Sequence, residues 1–174
     1  MGAWVRVFSS VIAAALVQAA APSAWSQTAS LEYGVKANYL VRFAAFVEWP
    51  PTAFVASTTP VTLCVAGRDP FGRALDQAAA GQTTHGRRIL VLRPESLAAA
   101  DRCHILYAGR GADAAYLTPR RGRLLVTEAG SPGMIVFVIR DRRVRFEIDQ
   151  ATARQAGLVM SSRLLGLAVS VRGR

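Results

Sequence analysis

Lysine, histidine and cysteine are all scarce in this 174-residue chain. Lys36 is the single lysine among 21 basic residues, and there are only two histidines and two cysteines. A structural zinc site usually takes four nitrogen or sulfur ligands, and these four residues lack zinc-finger spacing, so we predict no metal site. No apolar run reaches the roughly 18–20 residues of a membrane span. The sequence therefore predicts neither a zinc protein nor an integral membrane protein.

Apolar residues are abundant, in contrast. They make up 52% of the chain, and charged residues 18%, which excludes a disordered protein and suits one domain of ordinary size. Only 11 acidic residues oppose the basic ones, and the net charge is +10. Such a charge balance suits binding to nucleic acid, to an acidic protein face or to an anionic surface. GC-rich codon usage, which enriches alanine and arginine, would produce it as well.

The N-terminus has the order of a secretory signal peptide. Arg6 is the only charge in the first 31 residues, residues 7–21 are mostly apolar, and small residues stand at Ala24 and Ser26. We expect cleavage after Ser26, which divides the chain into a signal peptide, residues 1–26, and a mature domain, residues 27–174. The alternative is an uncleaved anchor, for which the apolar stretch is short. An exported protein rarely meets nucleic acid, so the positive charge gives little support for such a partner.

The cysteine pair takes its meaning from this export. Cys64 and Cys103 form an even pair, and in an oxidising compartment such a pair predicts a disulfide. The requirement is that their Cα atoms lie within about 7 Å. Two buried free thiols are the alternative, since free cysteine is itself a commonly buried residue type.

The hydrophobic periodicity predicts an α/β fold. Apolar runs and helical patterns alternate through the first two thirds of the chain, which favours parallel strands. A C-terminal β-hairpin turning at residues 141–142 then precedes two helices. We therefore expect one domain with a mixed sheet and helices on both faces. The predicted strands are 61–66, 87–92, 103–108, 124–127, 134–139 and 143–148; the predicted helices are 31–49, 71–80, 94–102, 112–117, 151–156 and 161–169.

Catalytic motifs are weak throughout. The glycine-bearing loop 67–72 lacks the lysine of a phosphate-binding loop, Ser131 is not in a nucleophile elbow, and His104 opens an apolar strand as a packed histidine would. Glu147 and Asp149 share a strand face, but among arginines they are ordinary ion-paired carboxylates. The sequence predicts no enzyme and no cofactor; a hydrolase would require a buried carboxylate or histidine pair in a cleft.

Two arginine clusters stand out instead. They lie at residues 120–123 and on the hairpin at residues 140–145. Strand alternation sends Arg143, Arg145 and Glu147 outward, with the intervening apolar residues inward. The clusters form either a solvated rim or a binding surface for an acidic protein or an anionic ligand. The second interpretation rests on the ability of a guanidinium group to form two parallel hydrogen bonds to one carboxylate.

Two long segments resemble the signatures of the YfiR family. The first is the helix and its exit, residues 32–50, which carries Glu32-Tyr33, Tyr39-Leu40 and Glu48-Trp49-Pro50. The second is residues 133–168, which carries Gly133-Met134-Ile135, Phe146-Glu147-Ile148 and Leu164-Leu165. Cys64 and Cys103 also fall where this family often has a cysteine pair.

The resemblance implies a small periplasmic regulator that is not an enzyme. Its partner would be the periplasmic sensory part of an inner-membrane diguanylate cyclase or a similar sensor, and its release would raise cyclic-di-GMP and favour biofilm. The resemblance leaves open whether the protein forms a homodimer. We expect neither a nucleic-acid partner nor direct insertion into the membrane. The alternative is a periplasmic small-molecule-binding accessory of a transporter or sensor kinase. The candidate partner-binding residues are Ile135, Arg143, Arg145, Glu147 and Asp149.

Overall fold

The computed structural model describes residues 24–173. Most of the predicted signal peptide, residues 1–23, lies outside the described residues, and cleavage after Ser26 stays a prediction. The described helices are α1 Ala24–Phe46, α2 Arg73–Ala79, α3 Leu97–Ala100, α4 Gln150–Gln155 and α5 Ser162–Leu167. The described strands are β1 Val47–Glu48, β2 Val61–Ala66, β3 Thr83–Thr84, β4 Arg87–Leu92, β5 Ile105–Ala108, β6 Leu124–Glu128, β7 Ile135–Arg140, β8 Arg143–Asp149, β9 Val159–Met160 and β10 Ser170–Arg172.

Eight of these strands form one mixed sheet in the order β10-β8-β7-β6-β5-β2-β4-β3. The pairs β4–β2, β2–β5, β5–β6 and β6–β7 are parallel, and β10 is parallel to β8. The pairs β7–β8 and β3–β4 are antiparallel. Every residue of β2 and β5 is buried, so both faces of the sheet are covered. The prediction of a single-domain mixed α/β fold is confirmed.

Aromatic side chains join α1 to the sheet. The ring of Phe43 lies 5.9 Å from that of Phe137 on β7 and 5.2 Å from that of Phe146 on β8. Tyr39 contacts the same two strand residues. Further along, Tyr33 and Tyr107 both pack edge-on against Phe71. These contacts fix α1 across the strands that carry the hairpin.

The predicted helix 94–102 covers only Leu97–Ala100, and the predicted helix 112–117 is a 3-10 helix, Ala114–Leu117. Two other helices end earlier than predicted because the residues that follow them pair with a distant strand. The first helix ends at Phe46 rather than Trp49, because the next two residues pair with β9. The last helix ends at Leu167 rather than Val169, and the chain then forms β10 beside β8. Local periodicity contains no information about either partner strand.

The N-terminal helix also begins earlier than predicted, and its buried surface is wider. It starts at Ala24, so Ser30, a residue type that commonly caps helices, lies within the helix. Val35 is exposed despite its place in the apolar periodicity of the predicted helix, whereas Ala37, Leu40 and Ala44 are fully buried. The helix packs against α2 as well as the sheet, which buries a second flank.

The predicted hairpin is confirmed, with an unusual turn. Asp141 and Arg142 both have positive φ, 50° and 58°. A two-residue hairpin turn requires this left-handed backbone, which glycine or asparagine adopts most easily. Aspartate tolerates it through its short polar side chain, whereas arginine does so at some cost.

Candidate functional site

The hairpin places its charged side chains as the alternation predicts. Phe146 and Ile148 are buried against the core, Arg143 is exposed, and Arg145 and Glu147 lie on the opposite face from Phe146. Antiparallel register sets Arg143 opposite Arg140 at the turn. Arg140 approaches the carboxylate of Glu147, with 3.5 Å between Nη2 and Oε1. We call Arg140, Arg143, Arg145 and Glu147 the hairpin surface.

This surface is less solvated than the sequence predicts. The side chain of Glu147 is only 26% exposed. It lies in register with Val136 on one side and Ser170 on the other, because β10 makes β8 an internal strand. Val136 and Val138 share this face and are buried. The expectation of a fully solvated outer face is corrected: the arginines stand over an apolar layer.

Two of the predicted partner-binding residues serve the fold itself, one in the core and one as a helix cap. Ile135 is fully buried in the core, in register with Ile148, so the expectation that it contacts a partner is wrong. Asp149 caps α4, where its Oδ1 accepts a hydrogen bond from the Thr152 N–H at 2.9 Å. This cap satisfies a donor at the helix start and accounts for the aspartate.

Exposed apolar residues also occur in this part of the sheet. Ile139 on β7 is half exposed, and so is Val169, whose N–H donates to the Phe146 carbonyl at 3.0 Å. Leu167, at the end of α5, is exposed as well. By the strand alternation, however, Ile139 lies on the opposite face of the sheet from Val138, Arg140 and Arg145, so the apolar residues on the hairpin face itself are Val136 and Val138.

The cysteine prediction is confirmed. Cys64 on β2 and Cys103, just before β5, form a disulfide with 5.8 Å between their Cα atoms. The bond ties two adjacent parallel strands across 39 residues of sequence. Such bonds persist in oxidising compartments.

His104 is the packed histidine that the sequence predicts. Its Nδ1 accepts a hydrogen bond from the Thr62 N–H at 3.1 Å, so Nε2 carries the proton and donates to the Ala53 carbonyl at 2.9 Å. The ring also stacks on Phe54, with centroids 4.4 Å apart. Burial, and secondarily the charge of Arg87, hold the pKa of His104 below its ordinary value, although the bond to Ala53 acts in the opposite direction.

We therefore expect acid to destabilise the protein through His104. Because the folded-state pKa lies below the unfolded value of about 6.5, unfolding takes up a proton on acidification. The free energy of unfolding should be steady above about pH 6.5 and fall below it. Urea denaturation across this range should show a smaller fall for His104→Gln than for the wild type. His85→Asn, at an exposed turn position with positive φ, is the control and should retain the wild-type slope. An unchanged slope in His104→Gln would contradict a neutral folded-state histidine.

The single lysine makes a network that sequence reasoning found only in part. The sequence predicts the helical pair Glu32–Lys36, and the structure adds Glu128 from β6. Lys36 is 2% exposed, and its Nζ lies 2.6 Å from Glu32 and 2.7 Å from Glu128. The Tyr107 hydroxyl donates to the other oxygen of Glu128 at 2.7 Å. Burial lowers the pKa of Lys36, but the bonds to Glu128 and Glu32 outweigh it and raise the pKa overall. The one available signal was a lone lysine in an arginine-rich chain.

No metal or membrane site accompanies these features in residues 24–173. That range contains no group of three histidine, cysteine or acidic residues placed to hold a metal ion. Its helices are all too short or too polar to cross a bilayer. Ser131, which the sequence does not place in a nucleophile elbow, has no histidine among its hydrogen-bond partners in that range.

The molecule is thus a disulfide-bonded α/β domain whose candidate site is a charged, partly apolar protein surface. Residues 33–169 match the family model described as YfiR/HmsC-like, and the chain belongs to this family. Among curated proteins, none matches the chain. The matched range includes the disulfide, the Lys36 network apart from Glu32, and the whole hairpin surface.

Proposed function

We propose that this protein is a periplasmic regulator that binds and represses the periplasmic sensory part of an inner-membrane diguanylate cyclase. It acts by binding and carries no catalytic activity of its own. Release of the protein from the cyclase raises cyclic-di-GMP and favours biofilm. Membership of the YfiR/HmsC-like family supports this role, and the disulfide suits an exported protein.

The hairpin surface is the observation that carries the proposal. Arg140, Arg143 and Arg145 stand on a β-hairpin that is held by β10 on one side and β6 on the other. Guanidinium groups on a rigid support bind carboxylates with little loss of conformational entropy. Val136 and Val138 form an apolar layer beneath these arginines on the same face of the sheet. This combination fits a partner of mixed apolar and acidic character.

A charge reversal at Glu147 tests the docking surface. Glu147→Lys removes the carboxylate that pairs with Arg140 and puts a cation in its place, which displaces the Arg140 guanidinium from the position in which it would bind a partner carboxylate. We expect it to release the cyclase and raise cellular cyclic-di-GMP, with the variant folded and abundant in the periplasm. Because Glu147 is partly buried and faces Arg140, we expect a stability loss of about 1 kcal/mol, more than at a fully exposed site. Cellular cyclic-di-GMP and co-purification with the solubilised cyclase are the measurements.

Glu95→Lys is the matched control. It makes the same charge change at an exposed residue between β4 and α3, at the other end of the sheet from β8. It should leave cyclic-di-GMP and co-purification unchanged. Wild-type behaviour of Glu147→Lys in both measurements would exclude the hairpin surface, and equal effects of both variants would point to net charge rather than docking.

A second candidate function is a periplasmic small-molecule-binding module. One observation favours it: a cavity of about 710 Å³ with apolar and arginine walls lies beside the disulfide. Ligand pockets typically have volumes of about 300–1,000 Å³.

A further inference from the structure

The second arginine cluster lines this cavity. The cavity opens where β2, β5 and β6 begin, and residues 101–104 and 120–123 form its polar wall. Leu90 and Leu92 of β4, together with Val55 and Pro60, form its apolar wall. The arginine cluster that the sequence presents as a turn therefore faces a concave, partly apolar space.

Arg123 is the unusual member of the cluster. It is only 3% exposed, and its one hydrogen bond within residues 24–173 runs from Nη2 to the Thr118 carbonyl at 3.0 Å. Its Nε is buried without a partner there. Burial, and secondarily the charge of Arg120, lower the pKa of Arg123 from its usual value. The guanidinium is thus desolvated without a carboxylate to neutralise it, which costs free energy.

The charged residues around Arg123 do not neutralise the positive charge of its guanidinium. Arg102, Arg120 and Arg121 also line the cavity, and Asp101 is the one acidic residue in the lining. Asp101 is bound to Arg120. His104, on the same wall, is held neutral by Thr62 and Ala53. Four cations and one anion leave the lining with a net charge of +3.

We infer that this cavity binds a small organic anion, with its carboxylate or phosphate group at Arg123 and its apolar part against Leu90 and Leu92. Binding of the anion offsets the free-energy cost of desolvating Arg123. Charge-assisted hydrogen bonds between a guanidinium and a carboxylate or phosphate are strong, and the two groups match in geometry. The site is independent of docking at the hairpin surface. It lies at the amino ends of β2, β5 and β6, whereas the hairpin turn lies at the carboxyl end of β7, which runs parallel to β6.

Matched probes test the site. Phenyl phosphate and 4-phenylbutyrate carry an anion and an apolar ring, and 4-phenylbutan-1-ol is the neutral counterpart. We expect saturable binding of at least one anion at millimolar concentration by NMR titration or calorimetry, and none of the alcohol. Arg123→Met should weaken anion binding about tenfold or more, the loss expected from one charge-assisted contact. Because Arg123→Met also removes an uncompensated buried charge, its melting temperature should not fall.

Controls separate this site from general attraction to a cationic protein. Arg110→Met removes an exposed arginine at the opposite, carboxyl end of β5 and should leave binding unchanged. Arg121→Met, at the exposed rim, is the second variant if Arg123→Met fails to fold, and it should also weaken binding. Glu147→Lys should bind the anion as the wild type does. Failure of both anions to bind, equal binding of the alcohol, or equal losses in Arg110→Met and the cavity variants would overturn the inference.

Discussion

Replacing both cysteines, Cys64→Ala with Cys103→Ala, will lower the free energy of unfolding by about 4 kcal/mol. The bond closes a loop across a sequence separation of 39 residues. In the chain-entropy model, closing a loop of that length lowers the conformational entropy of the unfolded chain, which stabilises the folded state by roughly this amount. Both cysteines are buried, so alanine avoids a buried polar group. Domains of this size have about 5–15 kcal/mol of stability, so the loss is a large share.

Urea denaturation with and without reductant measures this effect. The reduced wild type should match the double variant, and reductant should not change the double variant further. The midpoint of the transition should fall strongly in both. A wild type whose midpoint is insensitive to complete reduction would contradict a stabilising role for the bond.

Lys36→Met will cost about 3 kcal/mol, the lower part of the range for breaking a buried ion pair. Lys36 is almost fully buried, and its removal leaves Glu32 and Glu128 without their cation. The two carboxylates are each about 30% exposed, which hydrates them in part and places the loss at the lower end. Tyr107 remains bound to Glu128 in this variant, so the loss reports on the lysine.

Two further proteins make this prediction specific. The triple variant Lys36→Met, Glu32→Gln, Glu128→Gln should recover at least half of the loss, because neutral partners no longer need a cation. Arg93→Met removes the surface arginine that pairs with Asp69 and Asp76, and should cost no more than about 1 kcal/mol. Equal losses in Lys36→Met and Arg93→Met, measured by urea denaturation, would show that burial of Lys36 has no energetic consequence.

The sequence predicts the central strands well because their signal is local. The segments 61–66 and 87–92 are strands with the predicted bounds. Their short runs of apolar, β-branched residues, bounded by glycine, proline or charge, are typical of strands; residues 61–66 are buried throughout, whereas in 87–92 only Ile89 is buried. The hairpin and its alternation follow from the same local pattern, as does the helical pair Glu32–Lys36. The disulfide between Cys64 and Cys103 could be predicted because the chain has one pair of cysteines and an export signal.

Tertiary structure alone decided which residues of the candidate surfaces are accessible. Local alternation places Glu147 outward, but only the pairing of β10 with β8 shows that it is partly buried. Ile135 carries the family signature, yet its side chain faces the core. Arg123 and Glu128 have no local signal at all, since their environments come from elements distant in sequence. Periodicity records the face of an element, whereas burial and charge pairing depend on long-range packing, and these determine what a surface or cavity can bind.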